Sequence, residues 1–303
     1  MNSPVMTAQM TPAKNRQGVR VNVDVLYLDD IPKAMDNMGW NISAQLMRRW
    51  FATRPAWAMP VGWRLGERAP GTPIEYANLP ISQVDDQIVK MAWAIHPKFI
   101  QVNNALALIR KSWLTPKSVT LLKLRLVRKG WAPGKTLRLG SAHMSALQLD
   151  QESQVNALKF GEEWDTLNDY FGALFKATLK VAVVGKVYRS LLHGKDVFEV
   201  EKLGFYIRDT YDFNASWLDD ALMGLGVWNK KRVLSKSDML EFKALTTPHP
   251  ATLISRHLRY PGFVQVHNLD FRRWQDQRNE GGDFFVFSDV LWENYKGPGI
   301  EIK

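Results

Sequence analysis

The chain has 303 residues, of which 46% are hydrophobic and 23% are charged, and it contains no cysteine. This composition excludes wholesale disorder, a disulfide scaffold, a cysteine zinc site and a thiol nucleophile. The net charge of +10 is unevenly placed, because residues 1–150 hold 20 Lys and Arg against 9 Asp and Glu, whereas residues 151–303 hold 20 against 21. We therefore expect two parts with different electrostatic roles rather than a uniform nucleic-acid-binding surface.

The first 18 residues are rich in Ser, Thr, Pro and Gln, which predicts a disordered tail. No apolar stretch follows the first basic residues, so we expect no cleaved secretory signal. No run approaches the roughly 18 uncharged apolar residues of a transmembrane helix. These features predict a protein that is made in the cytoplasm without a signal peptide.

The first half of the chain is predicted to be mostly helical. Alternating β-branched residues predict a strand over 19–28, and the acidic pair Asp29 and Asp30 before Pro32 indicates a helix start. Further helices are expected over 42–52, 98–113 and 117–129, and a strand over 86–94. Five prolines within 54–80 predict a long irregular segment.

The predicted helix over 117–129 is both basic and amphipathic. Such a helix can contact lipid or nucleic acid. The alternative is a solvated face on a core helix, and the statistics of protein surfaces favour that reading.

The second half is predicted to be rich in strands. Residues 135–163 are expected to be a connector, with a boundary near 155, and the apolar runs over 176–187 and 196–208 predict a hairpin. Shorter strands are expected over 232–234, 262–266 and 283–288, and a short helix over 270–277. We predict an α+β fold with a tail (1–18), a basic, mostly helical part (19–155) and a β-rich part (156–303).

The candidate site follows the second strand of the hairpin, where residues 209–216 read D-T-Y-D-F-N-A-S. Asp209 and Asp212 would face opposite sides of a regular strand, but a turn beginning at Tyr211 or Asp212 would bring them together. Converged carboxylates suit Mg²⁺, or a pair in which one carboxyl has a raised pKa. A structural turn is the alternative that residue types alone favour.

This segment resembles the active-site segment of colicin M-type toxins, with seven of eight positions matched. The resemblance extends from about residue 176 to the C-terminus, and it implies a colicin M-like shape for the β-rich part. The whole chain also resembles an uncharacterised bacterial family associated with type VI secretion, through the runs at 47–51, 209–214, 225–228 and 281–284.

Colicin M-type enzymes cut lipid II between its undecaprenyl chain and its pyrophosphate, with Mg²⁺. The resemblance implies that Asp209 and Asp212 hold Mg²⁺ or activate water, that Tyr211 positions a phosphate oxygen, and that Asn214 holds the turn. It also implies a secreted antibacterial effector acting in the periplasm of target bacteria, with a cognate immunity protein and a secretion-system delivery protein as partners.

One departure from the toxins affects catalysis. The toxins continue with a His-Arg pair that supplies an acid/base and an anion clamp, whereas this chain has Leu218 and Asp219 at those positions. The possible substitutes elsewhere in the chain are His257, His267, Arg272 and Arg273.

Two alternatives to a hydrolase stay open. Without the His-Arg pair, the same fold would serve as a catalytically inactive binding or adaptor protein of a secretion system. A third reading is a binder that uses the basic surface over 117–129. Nucleic acid is not expected as a partner, because the 12 tryptophans recur at helical spacing or beside prolines, which favours burial over base stacking.

Overall fold

The computed structural model describes residues 25–69, 72–191, 194–214, 224–245 and 250–302. The helices in this part of the chain are α1 (Ile31–Asn37), α2 (Asn41–Ala52), α3 (Met91–Ala94), α4 (Ile100–Ser112), α5 (Pro116–Arg128), α6 (Ala146–Glu152), α7 (Asp169–Leu174), α8 (Lys236–Ala244), α9 (Pro250–Arg259) and α10 (Asn268–Arg278). The strands are β1 (Glu67–Ala69), β2 (Thr72–Pro73), β3 (Val84–Asp85), β4 (Leu137–Leu139), β5 (Gln154–Phe160), β6 (Ala177–Arg189), β7 (Asp196–Tyr211), β8 (Val227–Trp228), β9 (Val264–Gln265), β10 (Phe284–Phe287), β11 (Leu291–Asn294) and β12 (Ile300–Glu301). The prediction of a mixed helix and sheet structure is confirmed.

The long hairpin of β6 and β7 is the centre of an eight-stranded sheet. β6 pairs on its outer edge with β4 and β5, and β7 pairs on its outer edge with β10, β11 and β12. β3 extends the sheet by pairing parallel to β10. The apolar runs that predict this hairpin are long because both faces of its strands are covered.

A β-bulge near the middle of the hairpin decides which side chains of β7 face which side. Val184 pairs with Lys202 but Gly185 pairs with Val200, so Glu201 is an extra residue in β7. A Cβ on Gly185 would lie 2.1 Å from the Glu199 carbonyl oxygen, so the close approach there requires glycine. Because side chains alternate along a strand, the extra residue exchanges the faces of all later positions of β7.

The two faces of the sheet bury separate apolar clusters. The larger cluster includes Leu203, Phe205 and Ile207 of β7, together with the apolar faces of α1, α2 and α4. The smaller cluster includes Tyr206 and packs against residues of the 54–80 segment and α6. The irregular proline-rich segment therefore covers one face of the sheet.

The larger cluster extends from Ile31 to Ile302 and draws on both parts of the chain. The predicted boundary near residue 155 falls inside β5, which pairs with β6 of the hairpin. Trp113 of the first part packs edge-on against Tyr295 of the second, with ring centroids 5.4 Å apart. The two predicted parts thus share one sheet and one core.

Several predicted helices and strands are confirmed. They are the helices that correspond to α1, α2, α4, α5 and α10, the hairpin β6–β7, and the strands at β9 and β10. The predicted tail and most of the strand over 19–28 lie outside the described residues, and residues 25–27 have no regular structure. No helix among the described residues is both long and apolar enough to cross a bilayer.

Three local predictions are wrong. Residues 86–94 form a turn and α3 rather than a strand, because Asp85 Oδ1 accepts hydrogen bonds from the amides of Gln87 (3.1 Å) and Ile88 (2.9 Å). Residues 135–163 contain β4, α6 and β5 rather than a connector, and α6 begins at a capping box of Ser145 and Gln148. Residues 232–234 form only an isolated bridge at Val233.

Candidate functional site

The candidate segment begins within β7 and continues past its end. β7 ends at Tyr211, and Asp212, Phe213 and Asn214 follow without regular structure. Residues 215–223, which include Leu218 and Asp219, lie outside the described residues. The described part of the candidate site therefore consists of residues 209–214 and the segments packed against them.

Asp209 and Arg208 point to opposite faces of the sheet. The guanidinium of Arg208 lies over the ring of Phe285, 5.1 Å from its centroid, in the smaller cluster. Asp209 faces the larger cluster, which contains Tyr170. The pKa of Tyr170 is raised mainly by burial and, to a smaller extent, by the nearby charge of Asp209. Burial raises the pKa of Asp209 well above its usual range, while Arg208 and Arg64 oppose the shift. The protonated form of Asp209 therefore persists to a higher pH than that of an exposed carboxyl group.

Tyr211 is buried at the end of β7. Its ring stacks on Phe284 of β10 with centroids 5.3 Å apart, and burial raises the pKa of its hydroxyl. In this position the ring contributes to the core beneath the segment. The predicted contact of Tyr211 with a phosphate oxygen stays a prediction.

Asp212 forms an ion pair with an arginine from the proline-rich segment. Its carboxylate is 5% exposed, accepts from Nη2 of Arg64, and also accepts from the amide of Asn214 at 3.0 Å. The second contact closes a tight Asx turn directly after the strand. Arg64 Nη2 also donates to the carbonyl oxygen of Asn214.

Asn214 connects this turn to two other segments. Its Nδ2 donates to the Met59 carbonyl oxygen at 3.1 Å, and its Oδ1 accepts from Nη2 of Arg272 at 2.8 Å. Arg272 lies on α10, 58 residues further along the chain. The structure therefore brings one of the four predicted substitutes for the His-Arg pair into direct contact with the segment.

Arg272 is held in place by a buried carboxylate. Asp283 accepts from Nη2 of Arg272 at 2.6 Å and from Nη1 at 3.0 Å, in a two-pronged contact. Asp283 also accepts from Nε1 of Trp50 at 2.9 Å and from the amide of Met59 at 2.8 Å. Burial raises the pKa of Asp283, and the Arg272 contacts oppose the shift.

We refer to Arg64, Asp212, Asn214, Arg272 and Asp283 as the arginine–carboxylate network. It joins three separate parts of the chain at the end of β7: the 59–64 segment, α10, and the turn before β10. The Nε atoms of both arginines are buried without a hydrogen-bond partner, so each guanidinium keeps unused donor capacity.

The other predicted substitutes lie elsewhere. Arg273 neighbours Arg272 on α10, but its side chain is 66% exposed and reaches Asp270 at 4.0 Å. His257 is exposed on α9. His267 precedes α10 and donates its backbone amide to Asp270 at 2.8 Å.

Sequence reasoning missed Arg64, Arg208, Trp50 and Asp283 as parts of this site. Arg64 lies in a segment without a motif, so no local signal marks it. Trp50 and Asp283 lie within two of the runs, 47–51 and 281–284, on which the sequence resemblance rests, and the structure joins these two residues by a direct hydrogen bond. Gly281 belongs to the same contact, because its φ is +90° and a Cβ there would lie 2.6 Å from the Trp50 ring.

The predicted Mg²⁺ site was Asp209 together with Asp212. Asp209 lies within β7 and faces the larger cluster, whereas Asp212 follows the end of the strand and is already paired with Arg64. No group of three or more His, Cys, Asp or Glu suited to a metal occurs among the described residues. A guanidinium group already occupies the carboxylate of Asp212, so a divalent cation would have to displace Arg64 to bind there. Mg²⁺ binding stays a prediction.

Comparison with curated proteins finds no match, and comparison with solved structures finds none. Residues 26–301 match the family of unknown function DUF6402, and this range includes the network, the hairpin and all the helices described above. On that match, the chain belongs to the family of unknown function DUF6402.

Proposed function

We propose that this protein is an antibacterial effector of colicin M type, delivered by a contractile secretion system such as type VI. Its substrate is lipid II or a related polyprenyl pyrophosphate at the membrane surface, and it cleaves between the undecaprenyl chain and the pyrophosphate. It acts in the periplasm of target bacteria, and its producer needs a cognate immunity protein. The resemblance of residues 209–216 to the toxin motif motivates the proposal, including a colicin M-like arrangement of the β-rich part.

One structural observation supports the proposal above others. Arg272 donates to Asn214 at 2.8 Å, so a guanidinium lies against the motif in a chain that lacks the His-Arg pair. Hydrolysis of a pyrophosphate ester needs positive charge where negative charge develops, and an arginine fork fits phosphate oxygens. Arg64 places a second guanidinium on Asp212. Together the two arginines form the anion clamp.

Asp209 is the group that we assign to proton transfer. Burial raises its pKa, so the carboxyl keeps its proton to a higher pH than an exposed carboxyl and can donate it to the leaving oxygen. Asp212 and Asp283 orient the two guanidinium groups. Mg²⁺, if bound, would add a Lewis acid, and no step assigned here to the chain's own residues depends on it.

A second candidate function has its own support. Asp212, Asn214 and Asp283 are already satisfied by partners within the network, as expected of a structural junction. Under this reading the protein is a catalytically inactive adaptor, and the network only holds α10 and the 59–64 segment to the sheet.

An assay of purified protein on lipid II separates the two functions. We expect wild-type protein to release the pyrophosphorylated disaccharide-peptide, and Asp209→Asn to lower the rate by about 100-fold or more, because the proton donor is lost. Arg272→Gln should also lower the rate, and Arg278→Gln, an exposed position on the same helix, is the matched control. Parallel reactions with Mg²⁺ and with a chelator test the metal.

The melting temperature of each variant completes the experiment. The hydrolase proposal expects Asp209→Asn to lose activity while the variant stays folded at the assay temperature. If wild-type protein releases no product and Arg272→Gln changes only the melting temperature, the adaptor function replaces the hydrolase.

A further inference from the structure

The positive charge of this protein is concentrated in one segment. Residues 87–149 contain eleven Lys and Arg and no Asp or Glu, so the rest of the chain carries a formal charge of −1. This segment includes α3 to α5, β4 and the start of α6. The positive field therefore belongs to one run of structure rather than to the whole surface.

Within this segment, α5 presents an unusual outward face. Its Leu122 and Leu126 are buried against the core, yet Leu124 and Val127 are 59% and 52% exposed. One side of the helix carries four residues at spacings of four, three and four, namely Lys117, Leu121, Leu124 and Arg128. A solvated helix face normally has polar residues at its centre, whereas this one has Leu124.

The surface beside Leu124 is concave as well as apolar. A shallow, open cavity of about 340 Å³ lies along the helix. It is lined by Pro116, Lys117, Thr120, Leu121 and Leu124. Leu114, 42% exposed, directly precedes the helix.

The cations of α5 divide into those that serve the fold and those that face outward. Arg125 donates to the carbonyl oxygens of Asp150 in the last turn of α6 and of Gln154 at the start of β5, and Lys129, which directly follows α5, pairs with Glu152. Lys117 and Arg128 are exposed, and neither forms an ion pair within the part of the chain that the structure describes. These two flank Leu124 along the helix.

We propose that the outward face of α5 docks on an anionic lipid bilayer, with Leu121, Leu124 and Val127 entering the headgroup region and Lys117 and Arg128 contacting lipid phosphates. Aliphatic side chains between cations on one helix face are typical of helices that lie in a membrane interface. Charge complementarity supports this occupant, because the surrounding 63 residues contain no acidic residue to repel anionic lipid.

A nucleic acid would explain the charge but not the apolar centre. Phosphate backbones are bound by Lys and Arg, and exposed bases stack on aromatic rings. The exposed centre of this face is aliphatic, and aliphatic side chains gain most by leaving water for lipid. Lipid is therefore the occupant that explains both the charge and the leucines.

Vesicle flotation with the full chain tests this inference, and the vesicles contain no lipid II and no pyrophosphate. We expect binding to vesicles with about 30% phosphatidylglycerol, little binding to neutral phosphatidylcholine vesicles, and weaker binding at high salt. Lys117→Glu/Arg128→Glu should weaken binding about tenfold or more, since each cation near an anionic surface contributes roughly fivefold. Leu124→Ser/Val127→Ser should weaken it by roughly tenfold.

Matched controls lie on other surfaces. Lys33→Glu reverses an exposed charge on α1, and Ile81→Ser removes an apolar side chain that is 89% exposed. Both variants should bind anionic vesicles as wild-type protein does. Equal melting temperatures for all variants establish that binding, rather than folding, has changed.

Three results of the binding measurements would overturn the inference. They are equal binding to neutral and anionic vesicles, unchanged binding by both double variants, and tighter binding to a DNA oligonucleotide than to anionic vesicles. A shift from dimer to monomer in the Leu124→Ser/Val127→Ser variant would also overturn it, by assigning the face to a second copy of this chain. Because no hydrolysis is measured, the inference stands or fails independently of the proposed activity.

Discussion

The single extra residue Glu201 in β7 determines what each residue of the candidate segment does. It shifts the core-facing positions from even numbers, as at Phe198 and Val200, to odd numbers, as at Leu203 and Phe205. Asp209 therefore faces the larger cluster, and Arg208 faces the smaller one. Without the bulge the charges of these two neighbours would be exchanged between the faces.

Asp209→Asn should change how stability depends on pH. Burial raises the pKa of Asp209 in the folded protein above its unfolded value of about 3.9. Between these two pKa values the folded protein binds more protons than the unfolded chain, so this group makes the free energy of unfolding fall as pH rises. Asn does not titrate, so the melting temperature of the variant relative to wild type should increase with pH.

Thermal melts of both proteins from about pH 4 to about pH 8 measure this difference. Thr210→Val, at the adjacent partly buried position, is the control. It alters a side chain of the same strand but removes no titratable group. A difference in melting temperature that is constant across this range would show that Asp209 has an ordinary pKa.

At the scale of elements, α5 combines a structural role with an exposed face. Pro116 at its first turn and the capping box of Thr115 and Ser118 explain why the helix begins where the sequence predicts. Arg125, however, does not belong to the solvated basic face. It donates to the carbonyl oxygens of Asp150 and Gln151 in the last turn of α6 and of Gln154 in β5, in the segment that the sequence predicts to be a connector.

Arg125→Met should therefore destabilise the protein, whereas Lys117→Met on the same helix should not. The loss expected for Arg125→Met is about 1–3 kcal/mol of the free energy of unfolding, because hydrogen bonds from a charged donor to partly buried carbonyl groups are removed. Urea unfolding of the two variants measures the difference. Equal effects of the two substitutions would contradict the structural role of Arg125.

At the scale of the whole molecule, the tryptophans join the two predicted parts. Trp50 of α2 packs against Phe213 and Phe271, with ring centroids 4.9 Å and 5.5 Å away. Trp40 of the same region packs edge-on against Trp228, 6.2 Å away. These tryptophan rings are thus packed in the core and are not free to stack on nucleic-acid bases. Their spacing in the sequence predicts the same.

The fragment 156–303 should not fold by itself. It retains β6, β7 and β10 to β12 but loses β3, β4 and the helices α1, α2 and α4, which cover part of the larger cluster. The exposed apolar surface would leave too little burial to offset the loss of conformational entropy. We expect near-UV circular dichroism of the fragment to show no fixed aromatic packing, while the full chain unfolds in one cooperative transition. A sharp thermal transition of the fragment would show that it is an independent domain.

The sequence by itself determined the elements whose signals are local. Alternation marked β6 and β7, Pro32 and the acidic pair marked the start of α1, and helical spacing marked α2, α4 and α5. The sequence also identified the segment from Asp209 to Asn214 as the place to look for chemistry. These features depend on neighbouring residues, and neighbours in the chain are visible without a fold.

Only the tertiary structure decided what surrounds that segment. Arg64 lies 148 residues before Asp212, and Trp50 lies 233 residues before Asp283, so no spacing rule connects either pair. A one-residue bulge at Glu201 sets the faces of Asp209 and Arg208, and the apolar run does not reveal this change because both faces of the hairpin are covered. The partners of the candidate residues were therefore set by long-range packing, because contacts between distant residues form only once the sheet and its covering segments are assembled.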